Sequence, residues 1–478
     1  MGLESVGDLA IHVILSKLGA QDTARVACVS KRFCSSASDD TLWINHCFHE
    51  LALTQPLDHL GNPLSSFKQK TLDDRHIVYA KVQMMFLECY QAWRGAFVMY
   101  PWSLVKRVKR CWDKIKTWLT NNFPEAEATL CKGATEADIQ ELENVLKVKL
   151  PLPSRILYRF HNGQEIAKAD PETTTYGSSL GLIGGYSFYS HLVNVYLLPI
   201  RQIILETKQT RRHLSFLRRS KYVLVAASST YSRKLFFLNC TNGQLYVGTR
   251  DLLTEGDIIP CVPHDLINLH QELNISEQQD AMLLWLEEHG RRLEHGFIKL
   301  HDKGNGKSIN LFPEEPPLCS MAVTNGVKVR ASALVIPELI DLQDDLEKYL
   351  FAYSIRLSLE PQGCTINGMS FSSCQLHWRH WIIRANDIVI SDVNGEAVIG
   401  QVLKNLSIRV ACIYQHHQVP LKVLLHLYPA DTWWNLWDEM KIQWEKISDR
   451  WFRLADPKGD PFLATVARFP LQLPDYIF

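Results

Sequence analysis

The chain has 478 residues, which is enough for about three domains of ordinary size. Its hydrophobic content of 46% and charged content of 21% are typical of globular folds and exclude wholesale disorder. The 51 basic and 51 acidic residues give a formal net charge of zero, which argues against a chain-wide attraction to nucleic acid or to an anionic membrane.

The sequence carries no recognisable membrane or secretion signal. No apolar run approaches the roughly 18 residues that a membrane span needs. The opening MGLESVGDLA lacks the charged segment and apolar core of a signal peptide. The twelve cysteines include no C-x-x-C pair, so we expect reduced and mostly buried thiols. Together these features predict a protein of the cytoplasm, the nucleus or both.

Residues 3–50 predict a small all-α module. Ile11, Ile14, Leu15 and Leu18 are spaced to form one face of a helix that ends at Gly19. Ser30 is a candidate N-cap for a short helix that carries Phe33, and Asp39, Asp40 and Thr41 precede Leu42 and Trp43. So small a module cannot bury all of its apolar residues by itself, which predicts that something else covers part of it.

Residues 51–110 predict a helical connector whose clearest part is SLVKRVKRCWDKIKTWL, residues 103–119. Val105, Val108, Trp112, Ile115 and Leu119 form an apolar stripe. Lysine and arginine fill much of the remaining surface, with four of them between Lys106 and Arg110. Such a helix can be a nuclear-import signal or a membrane-surface helix. The sequence favours the simpler interpretation, a packed helix with a solvated basic face.

Residues 111–296 predict an α+β domain. Thr135 and Asp138 have the spacing of a capping box at the start of one helix. β-rich segments follow, and Asn242–Gly243 predicts a two-residue hairpin between two of them. A helix at about residues 277–294 closes the domain. Helices around an antiparallel sheet characterise this class.

Residues 297–320 predict a linker, and residues 321–478 predict an all-β sandwich of the immunoglobulin or fibronectin type. The linker contains HDKGNGKS, residues 301–308, which we interpret as solvated and flexible. The segment YLFAYSIRLSLE alternates strictly from Phe351 to Leu359, as a half-buried strand does. A further hairpin is predicted at Asn394–Gly395.

Several fragments suggest catalysis or metal binding, but each lacks the required context. GSSLG places Ser179 in the nucleophile position of G-x-S-x-G, yet polar, turn-like residues precede it where an apolar strand is needed. The segment 301–308 ends like a phosphate-binding loop, but His301 occupies the position of the first glycine. The pairs His377/His380 and His416/His417 have spacings that are poor for a shared metal. We expect no catalytic residue, no metal and no cofactor.

The first fifty residues resemble an F-box. The resemblance is carried by Leu9, a leucine/isoleucine helix, Val29-Ser30-Lys31-Arg32-Phe33, and the pair Leu42-Trp43. One position departs from the motif, since Ala10 stands where a proline is usual. The resemblance implies that this module docks on a Skp-type adaptor, and that Val29, Phe33 and Trp43 belong to a module that this partner completes. The implied contact residues are Leu9, Ile11, Ile14, Leu15, Leu18, Val26, Val29, Ser30, Phe33, Leu42 and Trp43.

The rest of the chain resembles two other domains. GATEADIQELENVL, LPLPSRILYRFHNGQE and YVLVAAS are similar to a SUKH domain, and LFAYSIRLSL, CQLHWRHWIIR, NGEAVIG and FPLQLPDYIF are similar to ApaG. The order F-box, SUKH, ApaG resembles the plant Skp-interacting F-box proteins and their animal F-box-only counterpart. That family implies a substrate-recognition subunit of an SCF ubiquitin ligase, joined through the adaptor to cullin and RING subunits. The substrate would be a protein that the sequence does not identify.

Residues 402–452 depart from the ApaG pattern and make the sandwich partly atypical. Trp433, Trp437, Met440, Trp444, Ile447 and Trp451 are spaced as on a helix. Two explanations stay open: an alternatively spliced or mispredicted segment, which the sequence favours, and a genuine helix with a tryptophan face. For the whole chain, the alternative to a ligase subunit is a ligand-binding or sensor protein that uses its SUKH and ApaG domains, and Ala10 is the feature that suggests it.

Overall fold

The computed structural model describes residues 6–64, 85–165, 180–214, 221–342, 350–429 and 462–478. Within these spans it omits 189–190, 229–233, 250–251, 253, 255–256, 270–277, 303–305, 318, 367, 372–373, 386–387, 397–401, 404–407, 416–418, 466–468 and 472–473. In the strands from residue 369 to residue 471 only the backbone is described. Ser179, His416, His417 and the tryptophan series 433–451 lie outside the described residues.

The N-terminal module consists of four helices: α1 (Asp8–Leu15), α2 (Ala20–Ala27), α3 (Lys31–Ala37) and α4 (Asp40–Leu51). The side chain of Ser30 accepts a hydrogen bond from the Phe33 N–H and begins α3, as the sequence predicts. Asp39 likewise accepts a hydrogen bond from the Thr41 N–H at the start of α4. These caps explain why short helices of weak intrinsic stability begin where they do.

Two further helices connect this module to the middle of the chain: α5 (Met85–Ala96) and α6 (Trp102–Asn122). The apolar stripe of α6, from Val105 to Leu119, is buried. Because α6 is continuous, it runs across the boundary expected at residue 110 and belongs to both the connector and the middle domain.

The middle domain combines helices with one large sheet, which confirms the α+β prediction. Its helices are α7 (Pro124–Glu127), α8 (Glu136–Leu146), α9 (Leu152–Phe160), α10 (Ile200–His213) and α11 (Ala281–Glu294). The capping box of Thr135 and Asp138 is formed at the start of α8. Asp280 caps α11 through the Leu283 N–H and also accepts from the backbone and hydroxyl of Ser154, which ties α11 to α9.

The sheet of the middle domain has eight strands in the order β6-β5-β4-β3-β2-β1-β8-β7. The strands are β1 (Gly184–Phe188), β2 (His191–Leu197), β3 (Tyr222–Ser228), β4 (Leu235–Asn239), β5 (Leu245–Gly248), β6 (Ile258–Pro260), β7 (Lys299–Asp302) and β8 (Lys307–Asn310). All neighbouring pairs are antiparallel except β1 and β8.

Two predictions about this sheet are wrong. The segment 299–310, expected to be a solvated linker, forms the hairpin β7–β8, because Gly184 and Gly185 let the chain pack closely enough for β8 to join β1. The two-residue hairpin at Asn242–Gly243 is longer than predicted. Backbone hydrogen bonds close the turn between Asn239 and Gln244, and Gly243 adopts a φ of +71° within it.

The C-terminal part forms two main sheets, as expected for a β-sandwich. One has the order β17-β11-β10-β9, and the other has β15-β14-β18-β19 with β16 beside β14 and β20 beside β18. A two-stranded ribbon, β12-β13, lies between β11 and β14 in the chain. The strands are β9 (Ser320–Thr324), β10 (Val327–Val335), β11 (Leu350–Leu359), β12 (Cys364–Ile366), β13 (Met369–Phe371), β14 (Cys374–Ala385), β15 (Ile388–Glu396), β16 (Val402–Leu403), β17 (Ile408–Gln415), β18 (Val419–Pro429), β19 (Phe462–Thr465) and β20 (Phe469–Leu471).

Two details of the sandwich differ from the sequence predictions. Asn394 and Gly395 lie inside β15, opposite His380 and Arg379, so the hairpin predicted there is wrong. The first part of the segment 402–452 is not helical, because β17 pairs with β11 and β18 pairs with β14. The sandwich therefore continues with strands where the sequence pattern departs from ApaG.

Two buried ionic clusters join the middle domain to the sandwich. In the first, Glu338 contacts the hydroxyl of Tyr186 and lies 3.6 Å from Nζ of Lys234, whose side chain is fully buried. In the second, Glu314 contacts His301 and accepts hydrogen bonds from Arg330 and Arg356 at 3.0 and 3.1 Å. The buried carboxylates Glu338 and Glu314 are thus paired, and both clusters connect the two domains.

Candidate adaptor-binding surface

The residues that the sequence predicts for adaptor contact fall into two groups. The first group forms the core of the helical module: Ile11, Leu15, Phe33, Leu42 and Trp43 are all buried. The second group faces outward, with Leu9 80%, Ile14 46% and Val29 69% exposed. Leu18 and Val26 are half-buried, and Ser30 acts as the cap of α3. Only the second group is free to meet a partner without unfolding the module.

Trp43 belongs to the core rather than to the surface. Its indole N–H donates to the carbonyl oxygen of Ala37 at 2.8 Å, and its ring lies 5.2 Å from the ring of Tyr90 on α5. His46 contacts Trp43 edge-on at the same centroid separation of 5.2 Å. The tryptophan of the motif therefore joins α4 to the connector.

The connector supplies much of the cover that the F-box resemblance attributes to a partner. Asp40 accepts hydrogen bonds from the backbone N–H groups of Phe86 and Leu87, and so begins α5. Burial raises the pKa of the Asp40 carboxyl, while the two N–H groups act in the opposite direction. Glu50 accepts from the Tyr90 hydroxyl at 3.0 Å and the Trp102 indole at 2.7 Å. The expectation that only a partner completes this module is thus corrected.

A set of apolar side chains stays exposed on the module nevertheless, and we call it the exposed apolar set. It consists of Leu9, Val13, Ile14, Val29, Ile44 and Phe48. Val13, Ile44 and Phe48 were not among the contact residues predicted from the sequence. The sequence of α4 could have indicated two of them. Ile44 and Phe48 are four residues apart and therefore lie on one side of the helix, away from the buried residues Leu42, Trp43, His46 and Cys47. These are the apolar side chains of the module that a partner could contact without unfolding it.

Ala10 does not disturb the start of α1. The helix begins at Asp8, and the Ala10 N–H donates to the carbonyl oxygen of Gly7 at 3.0 Å. Arg32 binds the carboxylate of Asp8 at 2.6 Å and holds α1 against α3. The absence of the usual proline therefore leaves Leu9, Val13 and Ile14 of the exposed apolar set on a formed helix.

The basic face of α6 is largely paired. Arg107 binds Glu287 at 2.7 Å, Lys109 binds Asp113 at 2.7 Å, and Lys114 binds Glu294 at 2.8 Å. Lys106 lies 3.7 Å from Glu50. Most of these contacts tie α6 to α4 and α11. The prediction of a packed helix is confirmed, but the predicted solvation of its basic face is wrong for Lys109, which is buried.

Other candidate sites receive little support in the described part of the chain. No group of three or more metal-ligating side chains occurs there, and no helix of that part is long and apolar enough to cross a membrane. A cavity of about 280 Å³ lies between the 53–61 segment, α6 and α9. Its His161 is half-buried, and desolvation lowers the pKa of that imidazole to about 4. Lys109, which also lines this cavity, is paired with Asp113.

Known proteins resemble the chain in all three of its parts. The F-box-like family model matches residues 10–49, and the ApaG domain model matches residues 341–404. F-box protein SKIP16 of Arabidopsis thaliana is 49% identical, with 100% of each chain aligned. F-box only protein 3 of Homo sapiens is 22% identical over 84% of this chain and 72% of its own length. The cell wall biosynthesis/cell cycle regulator smi1 of Schizosaccharomyces pombe is 38% identical over 13% of this chain and 12% of its own length. The resemblances found in the sequence are thereby confirmed.

Proposed function

Because this chain belongs to the family of F-box proteins that includes SKIP16, we propose that it is a substrate-recognition subunit of an SCF ubiquitin ligase. In this role its helical module docks on a Skp-type adaptor, which connects it to cullin and RING subunits. The middle domain and the sandwich recruit the protein to be ubiquitinated. The chain itself carries out no chemistry, and it works in the cytoplasm, the nucleus or both.

The observation that carries this proposal is the exposed apolar set on a module whose own core is already filled. Trp43 and its neighbours are covered by α5, so the exposed side chains are not left over from incomplete folding. We propose that Leu9, Ile14 and Val29 contact the adaptor directly, with Val13, Ile44 and Phe48 as additional contacts. Ile11, Leu15, Phe33, Leu42 and Trp43 act indirectly by shaping the module.

A charge placed in the exposed apolar set tests the proposal. In the full chain, Val29→Asp should weaken binding to a purified Skp-type adaptor by at least about tenfold, because the carboxylate would be buried without a partner. Leu205→Asp is the matched control, since Leu205 is 61% exposed on α10 in the middle domain and Val29 is 69% exposed. Isothermal calorimetry gives both affinities.

Thermal unfolding of both variants shows whether the fold is kept. If Val29→Asp is folded and binds the adaptor as well as the Leu205→Asp control does, the proposed surface is wrong. Deletion of residues 1–50 is a poorer test, because it would expose Tyr90 and remove the carboxylate of Glu50 that α5 and α6 use. Ala10, the feature that suggests a non-ligase sensor, leaves α1 formed, which supports the docking role over that alternative.

A further inference from the structure

Residues 474–478 leave the sandwich and enter the middle domain. They follow β20, which pairs with β18, yet they form no helix or strand. Asp475 is exposed, Tyr476 is half-buried, and Ile477 and Phe478 are 3% and 7% exposed. We call residues 474–478 the docked segment and the part of the middle domain around it the groove.

The groove contacts the docked segment through both the main chain and the side chains. The N–H of Ile477 donates to the carbonyl oxygen of Cys261 at 3.0 Å, and the indole N–H of Trp285 donates to the carbonyl oxygen of Ile477 at 2.8 Å. Both backbone polar groups of one residue are thus satisfied by the middle domain. Main-chain hydrogen bonds combined with a side-chain pocket are the usual means by which folded domains bind short extended peptides.

Phe478 is held mainly through its ring. Its ring stacks on Trp285 with centroids 5.5 Å apart and an interplanar angle of 17°, and the Arg292 guanidinium lies 4.5 Å from its centroid. Lys234 donates to its carbonyl oxygen. An aromatic ring held between an indole and a guanidinium is a specific anchor, since stacking and cation–π contacts depend on that ring.

The charged groups of the groove do not depend on the docked segment. Lys234 keeps Glu338 and the Tyr186 hydroxyl as partners, and Arg292 keeps Glu288 at 2.8 Å. Departure of the segment would therefore leave neither charge unpaired, and the groove could persist without it. The Nδ1 atom of the buried His289, whose ring lies 5.6 Å from that of Phe478, has no hydrogen-bond partner among the described residues.

From these contacts we infer that the groove is an exchangeable peptide-binding site, held in this structure by the chain's own Ile477–Phe478. The partner that fits it is a protein with an extended segment carrying an aliphatic residue followed by an aromatic one. Such a partner competes with the docked segment and can gain a further hydrogen bond at His289. This inference rests on the proposed function only where it takes the partner to be the ubiquitination target.

The test uses the full chain with a site-specific protease sequence inserted after Leu471. Cleavage of the folded protein should release the fragment that carries the docked segment. A fluorescent peptide LPDYIF, which repeats residues 473–478, should then bind the cleaved protein. It should bind the uncleaved protein at least tenfold more weakly, because a tethered segment competes at an effective concentration of about a millimolar. The peptide LPDYAA is the negative control.

A matched pair of substitutions locates the binding. Arg291 and Arg292 both bind Glu288, but only Arg292 lies over the Phe478 ring. In the cleaved protein, Arg292→Ala should weaken peptide binding at least fivefold, and Arg291→Ala should leave it unchanged.

The inference is overturned if the cleaved protein unfolds, if it keeps its fragment through dialysis, or if LPDYIF binds cleaved and uncleaved protein alike. Loss of the fragment without binding of LPDYIF also overturns it. None of these measurements involves the adaptor, so the inference and the proposed ligase function can fail independently.

Discussion

Trp43 illustrates how a motif residue can matter for binding without touching the partner. It is 3% exposed and packs between Ala37 and Tyr90. We expect Trp43→Ala to lower the local unfolding free energy of α3–α5 by about 3–5 kcal/mol, through lost burial and the cavity left behind. Native-state hydrogen exchange measures this quantity for the helices themselves. Phe48→Ala is the control on the same helix, and its 53% exposure predicts a change within about 0.5 kcal/mol. Equal losses in the two variants would contradict the assignment of Trp43 to the core.

At the scale of single elements, the attachment of the β7–β8 hairpin depends on Gly184. This residue adopts a φ of +81°, and a Cβ atom there would lie 2.4 Å from the carbonyl oxygen of Ile309. Gly184→Ala should destabilise the middle domain by about 1–2 kcal/mol for the left-handed backbone, and by about 1–3 kcal/mol more for the overpacking.

Gly95→Ala is the matched control for this substitution. Gly95 lies in α5, and a Cβ atom there would have nothing within 4 Å. Alanine should therefore stabilise that helix by about 0.5–1 kcal/mol. Thermal unfolding followed by circular dichroism should move in opposite directions for the two variants. An unfolding temperature of Gly184→Ala equal to or above that of the wild type would show that Gly184 is not under steric constraint.

The elements that the sequence predicted are those whose signals are local. The caps Ser30 and Thr135 and the alternation from Phe351 to Leu359 specify their elements with neighbouring residues alone. The hairpin β7–β8 was missed because its pairing with β1 joins residues more than a hundred positions apart. The split of the predicted contact residues into buried and exposed groups was missed for the same reason, since Tyr90 on another helix decides that Trp43 is covered. The docked segment was assigned to the sandwich, because only the fold brings Phe478 to Trp285.

At the scale of the whole molecule, Glu314 couples the arrangement of two domains to pH. Burial alone would raise the pKa of its carboxyl, but the hydrogen bond and charge of His301, with Arg356 and Arg330, lower it to about 2. The unfolded chain has the ordinary value of 4.5. The contribution of the ionised Glu314 carboxylate to the free energy of unfolding is therefore fully present above about pH 5. It is lost as the pH falls from 4.5 towards 2.

Glu314→Gln should lower the unfolding temperature at pH 7 and make its decline between pH 5 and pH 3 shallower than in the wild type. Glu315→Gln is the control, because the ion pair of Glu315 with Lys299 is more exposed, at 36% and 41%. Glu315→Gln should change the unfolding temperature little, both at pH 7 and between pH 5 and pH 3. Parallel declines in the wild type and Glu314→Gln would show that another group governs the acid sensitivity.

The continuity of α6 has a consequence for the geometry of ubiquitin transfer. Its 21 residues make a rod of about 30 Å that is bonded at one end to Glu50 of α4 and along its length to Glu287 and Glu294 of α11. A continuous helix that is attached to both α4 and α11 sets the distance between them and does not act as a flexible linker. If the chain serves a ligase, a captured protein is held at a set distance and angle from the transfer machinery. The lysines that receive ubiquitin would then be chosen by their position in space, whatever the residues around them.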